Sequence, residues 1–330
     1  MNARDIQRRA DELAAELDRL SQRAANAATL ELRQELAEAK RKLVAEWIRL
    51  YGSVTNGPQT VEEADRFVGT AFLIFSAALS PSLVSTAPLA AAWLTAYSLG
   101  VGHALNASVA VRTAFTTSDF SAIPPPIDVL RPVARVSIRT LSGLDRVAVF
   151  SQGFTSVTVS TARAGQAVKG IEASVAAHIT SAASAAVTDV AESTGWARIW
   201  VAERDACLHC LAYAGHITTT GVFPTGLTFA DRPLRPMGPL LGPPLHPHCR
   251  CVLELIDPDD HEVSRALKRE AKRSVLRGFS LPSESEAARL RAAQRLLERG
   301  STLPKSVKQY ARTAVRRGEF PRGREVPTGG

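Results

Sequence analysis

Cys207-Leu208-His209-Cys210 and Leu245-His246-Pro247-His248-Cys249-Arg250-Cys251 hold every cysteine of the chain. Four cysteines scattered at random would not collect as CxxC followed by CxC, so something physical brings the pairs together. Met1 opens directly into a polar, charged helical pattern with no secretory signal, which argues against a disulfide framework. The spacing predicts Cys207, Cys210, Cys249 and Cys251 around a tetrahedral zinc. Two other arrangements stay open: unmetallated thiols or disulfides, and mixed ligation in which His246 or His248 replaces a cysteine.

The flanking residues frame this cluster. Trp196-Ala-Arg-Ile-Trp-Val201 and Cys251-Val-Leu-Glu-Leu-Ile256 are rich in strand formers and predict two strands. Residues two apart on a strand share a face. Cys249 and Cys251 are therefore expected to point one way and Arg250 the other, with Trp196 and Trp200 together as buried anchors. Residues 211–248 are rich in Gly and Pro, bury little of their own, and gain order from a cross-link at their base. The segment reads either as a surface excursion or as a loop that docks a partner.

Trp196 and Arg198 on a strand, Asp205, the CxxC, Gly215, a variable loop and then Pro243-Pro244-Leu-His-Pro-His-Cys-Arg-Cys251 together resemble the Mu F-like minor head protein family of tailed bacteriophages. The resemblance covers residues 194–256. The loop is longer and richer in proline than is usual there, and His248 stands where the family has Asn. The resemblance implies a low-copy capsid protein inside the virion. Its partners would be the portal and the major capsid protein, and its role head assembly, DNA packaging or DNA delivery. It implies no catalytic activity.

Working outward, the composition predicts a mainly α chain with one small α+β module. Hydrophobic residues make up 45% but aromatic ones only 6%, so Ala, Val and Leu supply most of the apolar surface, as in closely packed helices. Four successive regions are expected. Residues 1–122 form an N-terminal helical region, residues 123–193 a linker and further helices, residues 194–257 the cysteine-clamped module, and residues 258–330 a basic helical tail. In the first region Leu13, Leu17, Leu20, Ala24, Ala28, Leu32, Leu36, Ala39, Leu43 and Trp47 form one apolar stripe, with a break expected near Asn26. Phe67 to Val111 contains no Asp, Glu, Lys or Arg. Pro81 and Pro88 cut it into helices near 61–79 and 88–115, and its longest uninterrupted apolar piece is shorter than a bilayer requires, so burial in a core or an oligomer interface is expected over membrane insertion during infection. Ile123-Pro-Pro-Pro126 marks a stiff linker. A helix near 128–150, a short strand at Thr155–Val159 and a helix carrying Val168 to Val190 follow, with His178 as a core or boundary residue.

The net charge of +8 is uneven, since 17 Lys and Arg against 6 Asp and Glu lie from Ser264 onward. Three tail helices are expected. The first carries Arg265, Lys268, Arg269, Lys272, Arg273 and Arg277 as contacts to double-stranded DNA or to the portal. The second opens at a capping box of Ser283 and Glu286, and the third runs from Pro304 to Gly318. Beyond Pro321 little order is expected without a partner. No phosphate-binding GxxxxGK[ST], HExxH or GxSxG motif occurs, and no HxE precedes the CxxC as in zinc deaminases. Two functions outside the capsid reading stay open: a zinc-stabilised DNA-binding module using the tail, and a nuclease with a metal on His246 and His248.

Overall fold

In the computed structural model the chain is mainly helical, with one small antiparallel sheet. The structure describes residues 2–128, 130–219, 221–234, 238–279 and 284–321. The first helix, α1 (Ala3–Ala28), runs on into α2 (Leu30–Tyr51). Thr29 between them keeps a near-helical backbone (φ −105°, ψ 7°), and Arg33 N–H still reaches Thr29 O at 2.9 Å. The stripe therefore runs along two helices joined end to end through Thr29, with the break three residues after Asn26.

The chain forms two compact units that cut across the four successive regions expected from sequence. One comprises Leu20–Ala92 and Pro124–Ala176, the other Met1–Arg19, Trp93–Ile123 and Ala177–Gly330. A change of unit falls at Ile123–Pro124, inside the proline-rich linker.

The Leu20–Ala92/Pro124–Ala176 unit packs α2, α3 (Val61–Ala78), α6 (Leu130–Ser142), α7 (Arg146–Gln152) and α8 (Phe154–Ala164) on one another. Trp47 is fully buried at the centre and meets Tyr51, Phe67 and Phe154 edge-on, with ring centroids 4.6, 4.9 and 5.5 Å away. Its indole N–H donates to Asn56 O, so the buried ring keeps no unpaired donor. The helix expected over 128–150 is two, because Asp145 caps α7 by accepting from Ala148 N–H. The strand expected at Thr155–Val159 is helical instead. Ser156, Val157, Ser160 and Ala164 line the buried face of α8 at helical spacing, and this tertiary burial outweighs the β-branched composition.

The charge-free segment forms α3, α4 (Ala87–Leu105) and α5 (Val109–Ala114), so the expected 88–115 helix is also split. It is not wholly buried, since Phe72, Leu73 and Leu94 are exposed. Among the described residues, no helix is long and apolar enough to cross a membrane.

The second unit is built on the sheet. Its order is β2 (Ile217–Thr218), β1 (Ala197–Val201), β3 (Val252–Ile256), all antiparallel, with Trp200 opposite Leu253 and Ile199 opposite Glu254. Two strands were expected; β2 is too short to show a period. One sheet face carries Glu254, which is fully buried. Its carboxylate meets Arg9 Nη2 at 2.9 Å and lies 2.7 Å from His103 Nε2, without the alignment of a hydrogen bond. The buried carboxylate, paired with Arg9 of α1 and lying against His103 of α4, ties both helices to β3. The other face carries Trp200, fully buried against Tyr213 and Phe223. Trp196 lies just outside β1 and is only partly buried, so it does not share the anchoring role expected of it.

The long helix α9 (Gln166–Thr194) carries the predicted apolar face, and His178 is half-buried beside Trp93. Gly100 of α4 crosses α9 so closely that an added Cβ would stand 2.6 Å from Ala183 O and 2.8 Å from Ala186 Cβ. Gly100→Ala should therefore cost roughly 1–3 kcal/mol by forcing the helices apart. Chemical denaturation of the full chain checks this, and an unchanged midpoint would show that the crossing gives way freely.

Candidate metal centre

The cysteines reach their places by elementary means. After β1 the chain turns, and Cys207 becomes the N-cap of α10 (Leu208–Tyr213), with its C=O accepting from Leu211 N–H. One helical turn brings Cys210 back beside Cys207. Gly215 closes the return with φ +74°, and a Cβ there would strike Ser264 O of α11 (His261–Leu276). Only glycine satisfies both demands. Opposite, Cys249-Arg-Cys251 leads directly into β3, so both sulfurs fall on the Trp200 side of the sheet.

Five ligand groups converge. The ligating atoms of Cys207, Cys210 and His246 lie within 4.8 Å of one another, and so do those of Cys210, Cys249 and Cys251, so Cys210 is common to both sets. The sulfur of Cys210 is 3.6 Å from Cys249 Sγ and 3.2 Å from His246 Nε2, and Cys207 Sγ is 3.1 Å from the same nitrogen. Around a tetrahedral zinc with bonds near 2.3 Å, neighbouring sulfurs stand about 3.8 Å apart, close to the observed separation. All four cysteines are free and buried, so the disulfide arrangement is absent.

Electrostatics points the same way. Cys207 is held at about 4, first by its hydrogen bond with Cys210 and then by His246. Burial opposes charge on His246, yet Cys207 and Cys249 lift it to about 9. Cys249 is drawn well below the ordinary thiol value by hydrogen bonds from Cys210 and Cys251. Cys210 is pushed well above it, first by its hydrogen bond with Cys207 and then by those with Cys249 and Cys251 and by burial. Cys251 also rises, because Cys249 and burial overcome a lowering contact with Cys210. Buried sulfurs so close cannot all ionise by themselves, and a divalent cation among them removes that conflict.

The surroundings suit ligation. His246 Nδ1 donates to Pro247 O at 2.7 Å, so Nε2, which faces the sulfurs, is the nitrogen that would give up its proton to a metal. Trp200 Nε1 has no other hydrogen-bond partner among the described residues and lies close enough to Cys251 to lower its pKa. Thr180 Oγ1 of α9 donates to Cys249 O. His248 departs from expectation. It is exposed, lies outside the cluster and takes φ +60°, a region that Asn and His tolerate better than most residues. That turn breaks the two-residue alternation that would have put both histidines on one face, so the paired-histidine metal site does not form.

Arg250 points away as expected and pairs with Glu203 at 2.7 Å and Asp205 at 3.0 Å. Burial raises Glu203 to about 7, partly offset by Arg250.

Sequence reading missed the buttress behind the CxxC. Arg289 of α12 (Glu286–Glu298) is 1% exposed and donates to Ala206 O, Ser274 O and Glu284. Glu284 in turn accepts from Leu208 N–H at 3.0 Å. Burial lowers Arg289 to about 10. The tail is thus part of the cysteine module. The Ser283 of the expected capping box lies outside the described residues, as does nearly all of 321–330; α12 is capped by Ser285, which accepts from Ala288 N–H.

No family model, no curated protein and no solved structure matches this chain.

Of the six tail cations expected to be contacts, Arg265 and Arg269 are exposed and Lys268 and Lys272 partly so. Arg273 and Arg277 are occupied by Glu270 at 3.3 and 2.8 Å, and Arg277 is buried. Glu270 lies three and seven residues back on the same face of α11, which removes both as free contacts. The less obvious cationic helix is α13 (Lys305–Arg317). It contains no acidic residue and exposes Lys305, Arg312, Arg316 and Arg317, with Lys308 partly exposed.

Proposed function

We propose that this chain is a non-enzymatic minor capsid protein of a tailed phage, carried inside the head beside the portal, with its sheet module clamped by zinc. The observation that supports it most is the convergence of four buried thiols and the partly exposed His246 in two overlapping sets that share Cys210, more than enough donors for a tetrahedral ion. That donor set suits zinc. When bound, zinc would supply a structural cross-link, because four protein ligands leave no position for a catalytic water. Cys210 belongs to the sphere in every arrangement, and His246 competes with the outer cysteines for the remaining place. The Mu F-like pattern of Trp196, Arg198, Asp205 and the clamp supports the capsid reading, with the portal and major capsid protein as partners. Mass spectrometry of virions purified from the encoding phage should find the chain with the portal; virions that lack it would refute this role.

A second reading, duplex DNA binding by the tail, is favoured by α13. Truncating the tail is a poor test, since Glu284 and Arg289 would leave with it and expose the cysteine module. Substituting Lys305, Lys308, Arg312 and Arg316 by Gln keeps the fold intact. If α13 meets DNA, the slope of log affinity against log salt should shrink by up to about 3.6, at about 0.9 per phosphate contact. An unchanged slope would remove α13 from the interface.

A further inference from the structure

A second cationic surface lies on the other unit, where averaging over the chain body hides it. From Leu130 to Gly170 the only acidic residue is Asp145, and it is spent capping α7. The same stretch carries Arg131, Arg135, Arg139, Arg146, Arg163 and Lys169. Arg131, Arg135 and Arg139 recur every fourth residue on α6, about 6 Å of rise apiece, and all three are exposed. Among the described residues no carboxylate lies at ion-pair distance from any of them. Asp128, at the head of the stripe, accepts from the backbone N–H of Arg131. The contrast with α2 in the same unit is sharp, since there Arg33, Arg41 and Arg49 each hold a glutamate.

The stripe extends beyond one helix. Arg163 of α8 lays its guanidinium over Gly143 at the C-terminal end of α6, where a Cβ would collide with it and would also lie 3.2 Å from Arg139 O. Gly143 thus admits a fourth arginine beside the third.

We propose that the outer face of α6, continued by Arg163, docks the phosphate backbone of duplex DNA. All four cations are Arg, whose planar fork binds phosphate oxygens two at a time. A lipid surface fits less well, because an interfacial helix turns its apolar face outward. Here Val133 and Thr140 on that side are fully buried in the unit, and among the described side chains of the stripe Ile138 is the large apolar one that is exposed. A regular row of unpaired guanidinium groups without base-reading partners matches the backbone of any sequence.

The test uses the full chain, a fluorescein-labelled duplex and anisotropy titrations between 50 and 200 mM KCl. Replacing Arg131, Arg135 and Arg139 by Gln should reduce the salt slope by about 2.7 and weaken binding at low salt by at least about tenfold. The Arg→Lys triple should keep most of the slope. Should the Gln triple lose its fold, Arg135→Glu alone should still lower the slope by about 1. Wild-type slope and affinity in these variants would overturn the proposal. So would loss of binding to phosphatidylglycerol vesicles with DNA binding intact, which would assign the face to lipid. A slope that vanishes with the α13 substitutions but survives the α6 ones would also overturn it, leaving the tail reading untouched. A slope reduced by the α6 set alone supports it even where the tail reading fails.

Discussion

Replacing Cys210 by Ser should abolish metal binding and unfold the sheet module, the largest effect expected of any single substitution in the chain. Cys210 is the sulfur shared by both ligand sets and is almost wholly buried, so no neighbour can take its place. Structural zinc in small domains contributes about 10 kcal/mol or more of apparent folding free energy. The loss removes that term and leaves Cys249 and Cys251 as buried thiols with no cation. Cys207→Ser should be milder, because His246 already faces the same point from the other side. Thermal unfolding with and without chelator reads both. A Cys210→Ser protein as stable as wild type, and equally insensitive to chelator, would show that the clamp needs no metal.

Trp200→Ala should cost roughly 3–5 kcal/mol. The ring is fully buried between Tyr213 (4.9 Å) and Phe223 (5.5 Å), and it lies over the strand pairing that brings Cys251 to the cluster. Removing it opens a cavity beside the sulfurs and takes away the indole N–H that favours the Cys251 thiolate. Trp196→Ala, at a partly buried position outside β1, should change stability by less than about 1 kcal/mol. Denaturant midpoints of the two variants separate these outcomes, and equal losses would contradict the placement of Trp196.

Much of this was legible in the chain itself. The two cysteine pairs, the strands at 197–201 and 252–256 and the outward turn of Arg250 follow from spacing and alternation, because strand geometry leaves few options. Stripes such as Leu13 to Trp47 and Val168 to Val190 were equally plain, since one face of a long helix must meet a core. What failed did so for local reasons. The β-branched run at 155–159 is overridden by packing from α8's neighbours. His248 escapes the alternation because its backbone turns left-handed. Arg273 and Arg277 looked free until Glu270 was seen to lie on their own face. The α6 stripe escaped notice because the charge count singled out the tail, and in the rest of the chain the acids of α2 and α3 offset cations of α6 in any sum. The buttress of Glu284 and Arg289 could not be foreseen, because it joins residues about 80 positions from the CxxC through a tertiary contact alone.

The most direct test of the central claim is the metal content of the full chain purified with reductant and without chelator. The account predicts about one zinc per chain, lost together with the native fold of the sheet module when a strong chelator is added. A folded protein carrying four reduced thiols and no metal would contradict it.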